Sequence, residues 1–398
     1  MNILLGVIVG LVVLTLLVLV HEWGHFIAAR KNGVTVKEFG IGFPPRAIGW
    51  IKKNGKWVRL KKSDWDKPQK SLILSINWLP IGGFCAMDGE SDADTRKGTF
   101  GAATFWQKTK ILFAGVIMNW LVALVILTIL AVTGMPEFID NQFFVSDDNR
   151  TNPQPIIVGD VLADSPAARA GLETGDKIVA VAGRPIDSAR AIVEYNQAHP
   201  GETVLYNIER DDQSLSLDIT LNPADSTYLI GITMSETSQV LHYSTWSAPL
   251  VGAVTTIQLT GETFRGLWDM VWNLGSGLAR QFSFDDDTRQ AGREDIGKVG
   301  DSVSGPVGIV GIIFPAFTSA GPTNLAFLAA IISISLACMN VLPIPALDGG
   351  RWLLIAIYRL RKKQLTTEIE ARIVSRAFIV LIALIILITV LDVMRFFK

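Results

Sequence analysis

The chain has 398 residues, of which 49% are hydrophobic, and its mean hydropathy is +0.36. This composition is too apolar for an ordinary soluble protein and indicates several membrane spans with a soluble insert. The formal net charge of −1 gives no basic surface for nucleic acid. Cys85 lies in a basic loop region and Cys338 in an apolar segment, so we expect neither a disulfide nor a CxxC metal site.

The first predicted element is a membrane-spanning helix at residues 3–28, long enough to cross a hydrocarbon core of ~30 Å. Residues 1–20 carry no charge. The segment has no basic start and no A-x-A-like cleavage site, so we expect a retained span rather than a signal peptide. It leads directly into the sequence HEWGH at residues 21–25.

The HExxH spacing predicts a metal site on this helix. It places His21 and His25 on one helical face, where both imidazoles can bind one zinc ion, and it sets Glu22 beside a zinc-bound water. Ionisable groups at membrane depth are costly and usually mark function. The motif therefore predicts peptide hydrolysis in or at the edge of a bilayer. The alternative is an accidental spacing at a polar helix end.

Residues 34–90 alternate strand-like pieces with turns and predict a small sheet lying against the membrane. Asn54-Gly55 predicts a hairpin between Trp50-Ile51 and Trp57-Val58. This region is either a connecting domain or one that contacts substrate. A second span is predicted at 111–134, within a stretch that carries no charge.

The segment 155–233 predicts a compact domain of short strands. Residues 161–172 indicate a strand end followed by a short Ala-rich helix, and 173–183 indicate turn, strand and turn. Two alternating strands follow at 204–209 and 215–221. The stretch SPAARAGLETGDKIVAVAGRPI closely resembles the core of a bacterial-type PDZ domain, a module that can bind chain ends by adding a strand to a sheet edge.

Aromatic residues are frequent after this domain and predict membrane contact. Residues 243–280 contain five aromatics among sparse charges, from Tyr243 to Trp272, and predict an amphipathic helical pair at the outer membrane surface. Residues 302–347 then lack any charged residue or histidine. Within this stretch we expect a third span near 324–342, and a fourth span follows at 375–394.

A catalytic zinc site needs three protein ligands, and HEWGH supplies two. His199 and His242 lie in the acidic external segment, where we expect surface residues, and Glu38 lies in a predicted loop where a solvated role is the default. Asp348 is the better candidate, because two prolines break the helix before it and two glycines after it allow close backbone approach. The alternative is an Asp that ends a helix at the interface.

The charge distribution predicts the orientation of the spans. Residues 30–110 carry 16 Lys/Arg against 7 Asp/Glu, and residues 351–376 carry 7 against 2. Residues 134–301 carry 11 Lys/Arg against 25 Asp/Glu. By the positive-inside tendency, the two basic segments are cytoplasmic and the long acidic segment is outside. HEWGH then lies near the cytoplasmic side of the first span.

Taken together, HExxH in span one, a PDZ domain between spans two and three, and NxxPxPxLDGG from Asn340 resemble the site-2 protease family of intramembrane zinc metalloproteases, most of all bacterial regulator-of-sigma-E proteases. The resemblance implies that His21, His25 and Asp348 bind Zn²⁺ and that Glu22 is the catalytic acid/base. It also implies that Asn340 holds the substrate strand or the developing oxyanion.

The resemblance extends to further residues. Gly82, Gly83 and Phe84 match a loop that pairs with extended substrate, and Gly42-Phe43-Pro44 resembles a membrane-associated Gly-Phe-Gly loop. Ser-Gly-Pro-Val-Gly at 304–308 also matches. In span two, Gly115 and Asn119 match a family pattern, although close helix packing is the simpler interpretation of Gly115.

Two departures concern subfamily and substrate rather than chemistry. Arg351 stands where many relatives have His, and one PDZ domain is present where many sigma-E-type members have two.

The resemblance implies a polytopic enzyme of the bacterial inner membrane, with its active site near the cytoplasmic side and its PDZ domain outside. Its partners would be membrane-spanning proteins already trimmed outside, such as anti-sigma factors or remnant signal peptides, the lipid bilayer, and a C-terminal peptide at the PDZ domain. One alternative is a non-enzymatic adaptor that delivers clients to another protease. A transporter with discontinuous helices is disfavoured because no inverted repeat is present.

The predicted fold class is a polytopic α-helical membrane protein with about four transmembrane helices, a membrane-associated β region and one inserted PDZ (α+β) domain. The predicted segments are 1–30 (first span), 31–104 (β region), 105–135 (second span), 155–233 (PDZ domain), 243–301 (amphipathic region), 302–350 (third span and LDGG), 351–374 (basic loop) and 375–396 (fourth span).

Overall fold

The computed structural model describes residues 3–53, 55–65, 69, 71–139, 141–152, 156–186, 189–211, 213–226, 228–234, 240–281, 285, 289–292 and 305–396. Asn54 of the predicted hairpin turn, Ser304 of the predicted Ser-Gly-Pro-Val-Gly match, and the predicted boundary between the amphipathic region and the third span lie outside these residues. The chain forms two compact units, one of Met1–Leu127 with Ala253–Lys398 and one of Thr128–Gly252.

The helices and the strands are each numbered in chain order. The helices are α1 (Ile3–Lys31), α2 (Phe105–Thr133), α3 (Pro166–Arg169), α4 (Ala189–Ala198), α5 (Ala248–Gln281), α6 (Pro306–Gly308), α7 (Phe314–Ser319), α8 (Pro322–Val341), α9 (Asp348–Leu360) and α10 (Thr367–Phe396). The strands are β1 (Val36–Lys53), β2 (Lys56–Arg59), β3 (Ile73–Met87), β4 (Met135–Pro136), β5 (Arg150–Asn152), β6 (Ile156–Val161), β7 (Lys177–Val181), β8 (Arg184–Pro185), β9 (Thr203–Arg210), β10 (Gln213–Thr220), β11 (Ile232–Met234) and β12 (Leu241–Tyr243). A π-helical turn, Ile309–Ile313, joins α6 to α7.

Among the described residues, four helices are long and apolar enough to cross a membrane: α1, α2, α8 and the part of α10 from Thr367 to Val390. The four predicted spans are therefore confirmed. HEWGH is part of α1 itself, because that helix continues without a break to Lys31. The charged residues of α1 are confined to its final third, which explains why its first twenty residues resemble an ordinary membrane span.

The cytoplasmic β region predicted from the sequence forms a three-stranded sheet in the order β2-β1-β3. The predicted hairpin is confirmed, since Ile51 pairs with Val58 and Lys52 with Trp57. β1 and β3 pair over a long, irregular register in which their outer ends meet at Val36 and Met87. Cys85 lies in β3 and is half-buried, so its predicted place in a loop is wrong.

A buried apolar cluster joins the ends of α1 and α2 to the sheet and to α9. Its members are apolar side chains contributed by all of these elements and by three connecting segments: Ala29, Val34, Val36, Met87, Phe100, Ile111, Leu112, Leu354, Ile355 and Leu365. Burial of this cluster is the main force that holds the three helices together, because association within lipid offers no comparable hydrophobic gain. The candidate site lies where α1, α2 and α9 meet.

The second unit contains an antiparallel sheet in the order β10-β9-β7-β6-β11, with β8 pairing to β7. Its core includes Ile178, Ile192, Tyr206 and Ile208, and all four are almost completely buried. The short helix α3 begins at its N-cap Ser165, whose hydroxyl accepts a bond from the Ala168 amide at 3.1 Å. These strands and helices agree with those predicted for the PDZ domain.

A single helix, α5, spans the range where we predicted an amphipathic helical pair, so that prediction is wrong. The segment has no proline after Pro249 and therefore contains no residue that must end the helix. Its large apolar side chains remain exposed at Ile257, Trp268 and Trp272, in agreement with the predicted amphipathic character.

One buried ion pair, between Asp176 and Arg210, stabilises the domain in the second unit. Asp176 is 1% exposed and accepts bonds from Arg210 Nε at 2.6 Å, Arg210 Nη2 at 2.7 Å and the Glu173 amide at 2.8 Å. Burial alone would raise the pKa of Asp176, but the bonds to Arg210 and to Glu173 bring it below its ordinary value. The carboxylate therefore stabilises the fold in its charged form.

We predict that Asp176→Asn lowers the stability of this domain by about 2 kcal/mol at neutral pH, because two charged hydrogen bonds are lost. The folded pKa is lowered, so this stability is fully present above the unfolded pKa of about 3.9 and is lost as pH falls through the folded pKa. Hydrogen exchange of the β7 and β9 amides in the full chain measures the effect. The control is Glu209→Gln, which removes an exposed pair with Lys177 at 3.9 Å and should cost less than about 1 kcal/mol. Equal loss of protection in the two variants would contradict the assigned role of Asp176.

Candidate metal centre

The helix α1 presents His21 and His25 on one buried face. The two residues are one helical turn apart. His21 is 8% exposed and His25 is 7% exposed. The two Nε2 atoms lie 3.1 Å apart. A pair of imidazole nitrogens pointing at one spot at this separation is the arrangement that a shared metal ion requires.

Asp348 completes the cluster from a distant part of the chain. Its Oδ2 lies 3.1 Å from His21 Nε2 and 3.3 Å from His25 Nε2. In a tetrahedral zinc site with bonds of about 2.0–2.1 Å, neighbouring ligand atoms are about 3.3–3.4 Å apart. The three donor atoms thus already have the spacing of one face of such a tetrahedron. The donor set, two imidazoles and one carboxylate, also fits zinc chemically.

The break between α8 and α9 brings Asp348 into position. α8 ends at Val341, and the segment with Pro343 and Pro345 cannot continue the helix. A Cβ at Gly349 would collide with the Val341 carbonyl, and one at Gly350 with the Ile344 carbonyl. The two glycines after Asp348 are therefore needed for the chain to fold back closely enough on itself.

The other ring nitrogen of each histidine meets a group on α2. His25 Nδ1 donates to the Ile111 carbonyl at 2.9 Å, which leaves Nε2 free to bind a metal. His21 Nδ1 lies 3.4 Å from the side-chain amide of Asn119, whose Oδ1 has no hydrogen-bond partner among the described residues. The oxygen and nitrogen of an amide occupy equivalent positions, so Oδ1 can accept the Nδ1–H of His21 by a simple rotation.

Gly115 allows α2 to approach the two imidazoles. A Cβ at this position would lie 2.6 Å from His25 Nε2 and 2.7 Å from His21 Cε1. Close helix packing, the simpler interpretation of Gly115 from the sequence, is therefore correct, and the surface against which it packs is the metal-binding face. Ile111, Gly115 and Asn119 have i, i+4, i+8 spacing on α2. The resemblance already points to Gly115 and Asn119, and this spacing in the uncharged stretch after Lys110 is the signal in the sequence that also identifies Ile111.

Glu22 is half-buried beside this cluster, and the Cys85 backbone amide lies near its carboxylate. Burial, followed by the Glu22 and Glu90 carboxylates, raises the pKa of the Cys85 thiol to about 12. The thiol therefore stays protonated, and a protonated thiol is a poor metal ligand. The expectation that neither cysteine forms a disulfide agrees with the free thiols of Cys85 and Cys338.

The predicted substrate-binding residues lie on two elements. Gly82, Gly83 and Phe84 belong to β3, and a Cβ at Gly83 would lie 2.7 Å from Leu19 Cδ2 on α1, half a turn before His21. β3 therefore passes directly beside the helix that carries HEWGH. The Asn340 side chain donates to the Leu336 carbonyl of its own helix at 2.9 Å. The contact of these residues with substrate stays a prediction.

The remaining candidates lie elsewhere. Within the described residues, the group of His21, His25 and Asp348 is the one set of three metal-ligand side chains, and their donor atoms all lie within 4.8 Å of one another. His199 Nδ1 bonds the Tyr195 carbonyl at 2.8 Å. His242 is buried and stacks on Phe144 with 3.9 Å between ring centroids, so its predicted surface position is wrong.

The predictions for His242 and Glu38 are wrong because both residues meet partners from other parts of the folded chain, which the sequence does not show. His242 lies in β12, which pairs with both β4 and β5. Its burial disfavours the charged imidazolium and lowers the pKa of His242. Glu38 is half-buried in β1 and forms an ion pair with Arg46, so its predicted solvated role in a loop is also wrong.

Four helices that are long and apolar enough to cross a membrane, and a His-His-Asp cluster with the spacing of metal ligands, define a multi-pass membrane protein with a candidate metal site. The sequence model of Peptidase family M50 matches residues 9–385. The chain therefore belongs to Peptidase family M50.

Relatives of similar length carry protease names. The zinc metalloprotease RasP of Geobacillus kaustophilus is 25% identical, with 98% of each chain covered. The zinc metalloprotease RasP of Bacillus licheniformis is 27% identical, with 98% of this chain and 99% of the relative covered. The chloroplastic membrane metalloprotease ARASP of Arabidopsis thaliana is 28% identical, with 95% of this chain and 76% of the relative covered. Among solved structures, the PDZ domain of an SdrC-like protein from Listeria monocytogenes is 30% identical over 20% of this chain and 87% of that chain, with a TM-score of 0.19.

We predict that Gly115→Ala lowers the affinity for metal by about 10–100-fold, the effect typical of disturbing the groups that orient metal ligands. The added methyl would displace the rings of His21 and His25. Metal content of the purified protein, measured after dialysis against a graded series of chelator concentrations, reports the change. Gly266→Ala is the matched control, because a Cβ at that helical glycine meets nothing within 4 Å. Unchanged metal retention in Gly115→Ala would contradict the geometry described for α2.

Proposed function

We propose that this membrane protein is an intramembrane zinc metalloprotease that cleaves the transmembrane segments of single-span proteins already trimmed outside the membrane. The observation that carries the proposal is the convergence of His21, His25 and Asp348, two of them on a membrane-spanning helix. Such a cluster is costly at membrane depth, and apolar side chains would stabilise the helix packing better. The family and the names of the relatives support the same chemistry.

Zinc held by these three side chains would polarise the scissile carbonyl and bring the pKa of a water towards neutrality. Glu22 takes the proton from the attacking water and delivers it to the leaving amine nitrogen. Ile111 and Asn119 orient the imidazoles through their Nδ1 atoms and so keep Nε2 available. Glu22 directly follows His21 on α1 and is half-buried, which supports its role as the proton acceptor.

Substrate must present an extended segment, because a helix hides its carbonyl groups in its own hydrogen bonds. β3 lies beside α1, with Gly83 against Leu19, and would receive such a segment as an added strand along Gly82, Gly83 and Phe84. Asn340 would hold the substrate strand or the oxyanion after its amide leaves the Leu336 carbonyl.

The charge distribution supports an orientation with the metal centre near the cytoplasmic side and residues 155–233 outside. In a bacterial cell this places the enzyme in the inner membrane. The PDZ domain would then bind new C-termini of trimmed proteins or exclude untrimmed ones by size. Membrane anti-sigma factors and remnant signal peptides are the substrate types that fit these constraints.

The adaptor hypothesis makes a different prediction about turnover. An adaptor has no need of a carboxylate beside the metal ligands, and Glu22 is retained here with its carboxylate near the cluster. Metal content alone does not separate the two hypotheses, since an adaptor could keep a structural metal. Cleavage by the purified protein does separate them.

We predict that Glu22→Gln abolishes cleavage of a pre-trimmed single-span substrate, with a loss of about 10²–10⁴-fold or more, while metal content stays at the wild-type level. The amide keeps the shape of the side chain but accepts no proton. The measurement compares purified wild-type and variant proteins in detergent, with the exposed Glu368→Gln as the matched control. Equal cleavage by Glu22→Gln and wild type would place the activity elsewhere. Absence of cleavage by all three proteins over a panel of trimmed substrates would favour the adaptor.

A further inference from the structure

A cavity of about 400 Å³, with a mixed polar and apolar lining, lies at the far end of α9 from Asp348. It is lined by the first turn of α2, the last turn of α9, the connection from α9 to α10, and part of the segment 92–95. Arg359, which lines the cavity, is eleven residues after Asp348 on the same helix, or about 16 Å along its axis. The cavity is therefore separate from the metal centre.

The charges that line this cavity are predominantly positive. Lys108 is buried and donates to the Asp92 carboxylate and, at 2.8 Å, to the Gly101 carbonyl, so this lysine and aspartate form a neutral pair. Arg359 and Lys363 also line the cavity, and no carboxylate within the described residues forms an ion pair with either. Both residues are exposed, so two positive charges without a carboxylate partner stand at the open side of the cavity. An anion would be attracted to it.

Further donors point to an oxyanion rather than to a simple counter-ion. The Arg359 guanidinium lies 5.0 Å from the centre of the Phe105 ring, which restrains it at the cavity wall. The Thr366 hydroxyl oxygen accepts a bond from the Ile369 amide at 3.4 Å and keeps its own hydrogen for donation into the cavity. α2 and α10 both begin at this cavity, and their N-terminal dipoles add to the positive potential. A phosphate monoanion matches this set of donors.

The apolar surroundings favour a phosphate that belongs to a lipid. α2 and α10 are two of the helices that are long and apolar enough to cross a membrane, and the cavity lies at the N-terminal end of each. Trp106, adjacent to a lining residue, is 71% exposed, and Leu360, adjacent to Arg359, is 83% exposed. A tryptophan at a helix end is typical of the bilayer interface, and these side chains offer contact for acyl chains.

We propose that this cavity binds the phosphate of an anionic phospholipid headgroup, with Arg359 and Lys363 as the charged contacts and Thr366 as a neutral donor. Basic pockets between transmembrane helices are a recognised means of holding such headgroups. The bound lipid would join the ends of α2, α9 and α10, and α9 is the helix that begins with Asp348.

The test is a lipid titration of the full-length protein in neutral detergent, with the thermal unfolding midpoint and native mass spectrometry as readouts. The titrants are phosphatidylglycerol, phosphatidylcholine with the same acyl chains, and inorganic phosphate. The wild type should be stabilised by phosphatidylglycerol in preference to phosphatidylcholine. The double variant Arg359→Gln with Lys363→Gln should lower the affinity for phosphatidylglycerol by about tenfold or more.

Matched variants separate the cavity from the general surface charge. Arg361→Gln with Lys362→Gln makes the same change of charge on the same turn, outside the cavity lining, and should bind as the wild type does. Lys363→Gln alone keeps the contact of Arg359 with Phe105 and should still weaken binding, so a folding defect cannot imitate the result. Equal weakening by both double variants, or equal stabilisation by phosphatidylcholine, would overturn the proposal. Full stabilisation by inorganic phosphate at the same concentration would overturn the assignment to a lipid.

Discussion

The structure depends on one constraint: two imidazoles and a carboxylate must meet inside an otherwise uncharged helical environment. Their donor atoms lie 3.1–3.3 Å apart, which is unfavourable for lone pairs unless a cation or a proton lies between them. The part of α1 before His21 is apolar and offers no compensation. The neighbouring helices therefore have to bring the compensating groups to His21 and His25, and their local sequences are shaped by that need.

The contacts of α9 show how this constraint extends beyond the ligands. Trp352 Nε1 donates to Thr109 Oγ1 on α2 at 2.9 Å, and Arg351 Nε donates to Glu370 on α10 at 3.3 Å. Glu370 in turn accepts the Asp92 amide at 2.9 Å, and Arg351 stacks 4.7 Å from the centre of the Phe100 ring. Arg351 thus connects α9 to α10 and to the segment before α2. It fixes the helix that positions Asp348.

Much of this arrangement could be predicted because the residues that matter stand out against their background. A histidine pair directly after twenty uncharged residues, and Asp348 as the first charge after residues 302–347, are visible without any tertiary information. Asn119 and Gly115 stand out in the sequence only through the family resemblance, because their contacts with His21 and His25 depend on the packing of α1 on α2. The burial of His242 and the ion pair of Glu38 depend on strand pairings between distant segments, which hydrophobic periodicity does not specify.

The most direct test of the metal centre is X-ray absorption at the zinc edge of the purified full-length protein, beside the variant Asp348→Cys. The wild type should show only nitrogen and oxygen ligands at about 2.0–2.1 Å, with the outer-shell pattern of two imidazoles. Asp348→Cys should add one sulfur at about 2.3 Å. Sulfur in the wild-type spectrum would implicate Cys85, and an unchanged spectrum in zinc-loaded Asp348→Cys would show that residue 348 is not a ligand. Either result would contradict the account given for His21, His25 and Asp348.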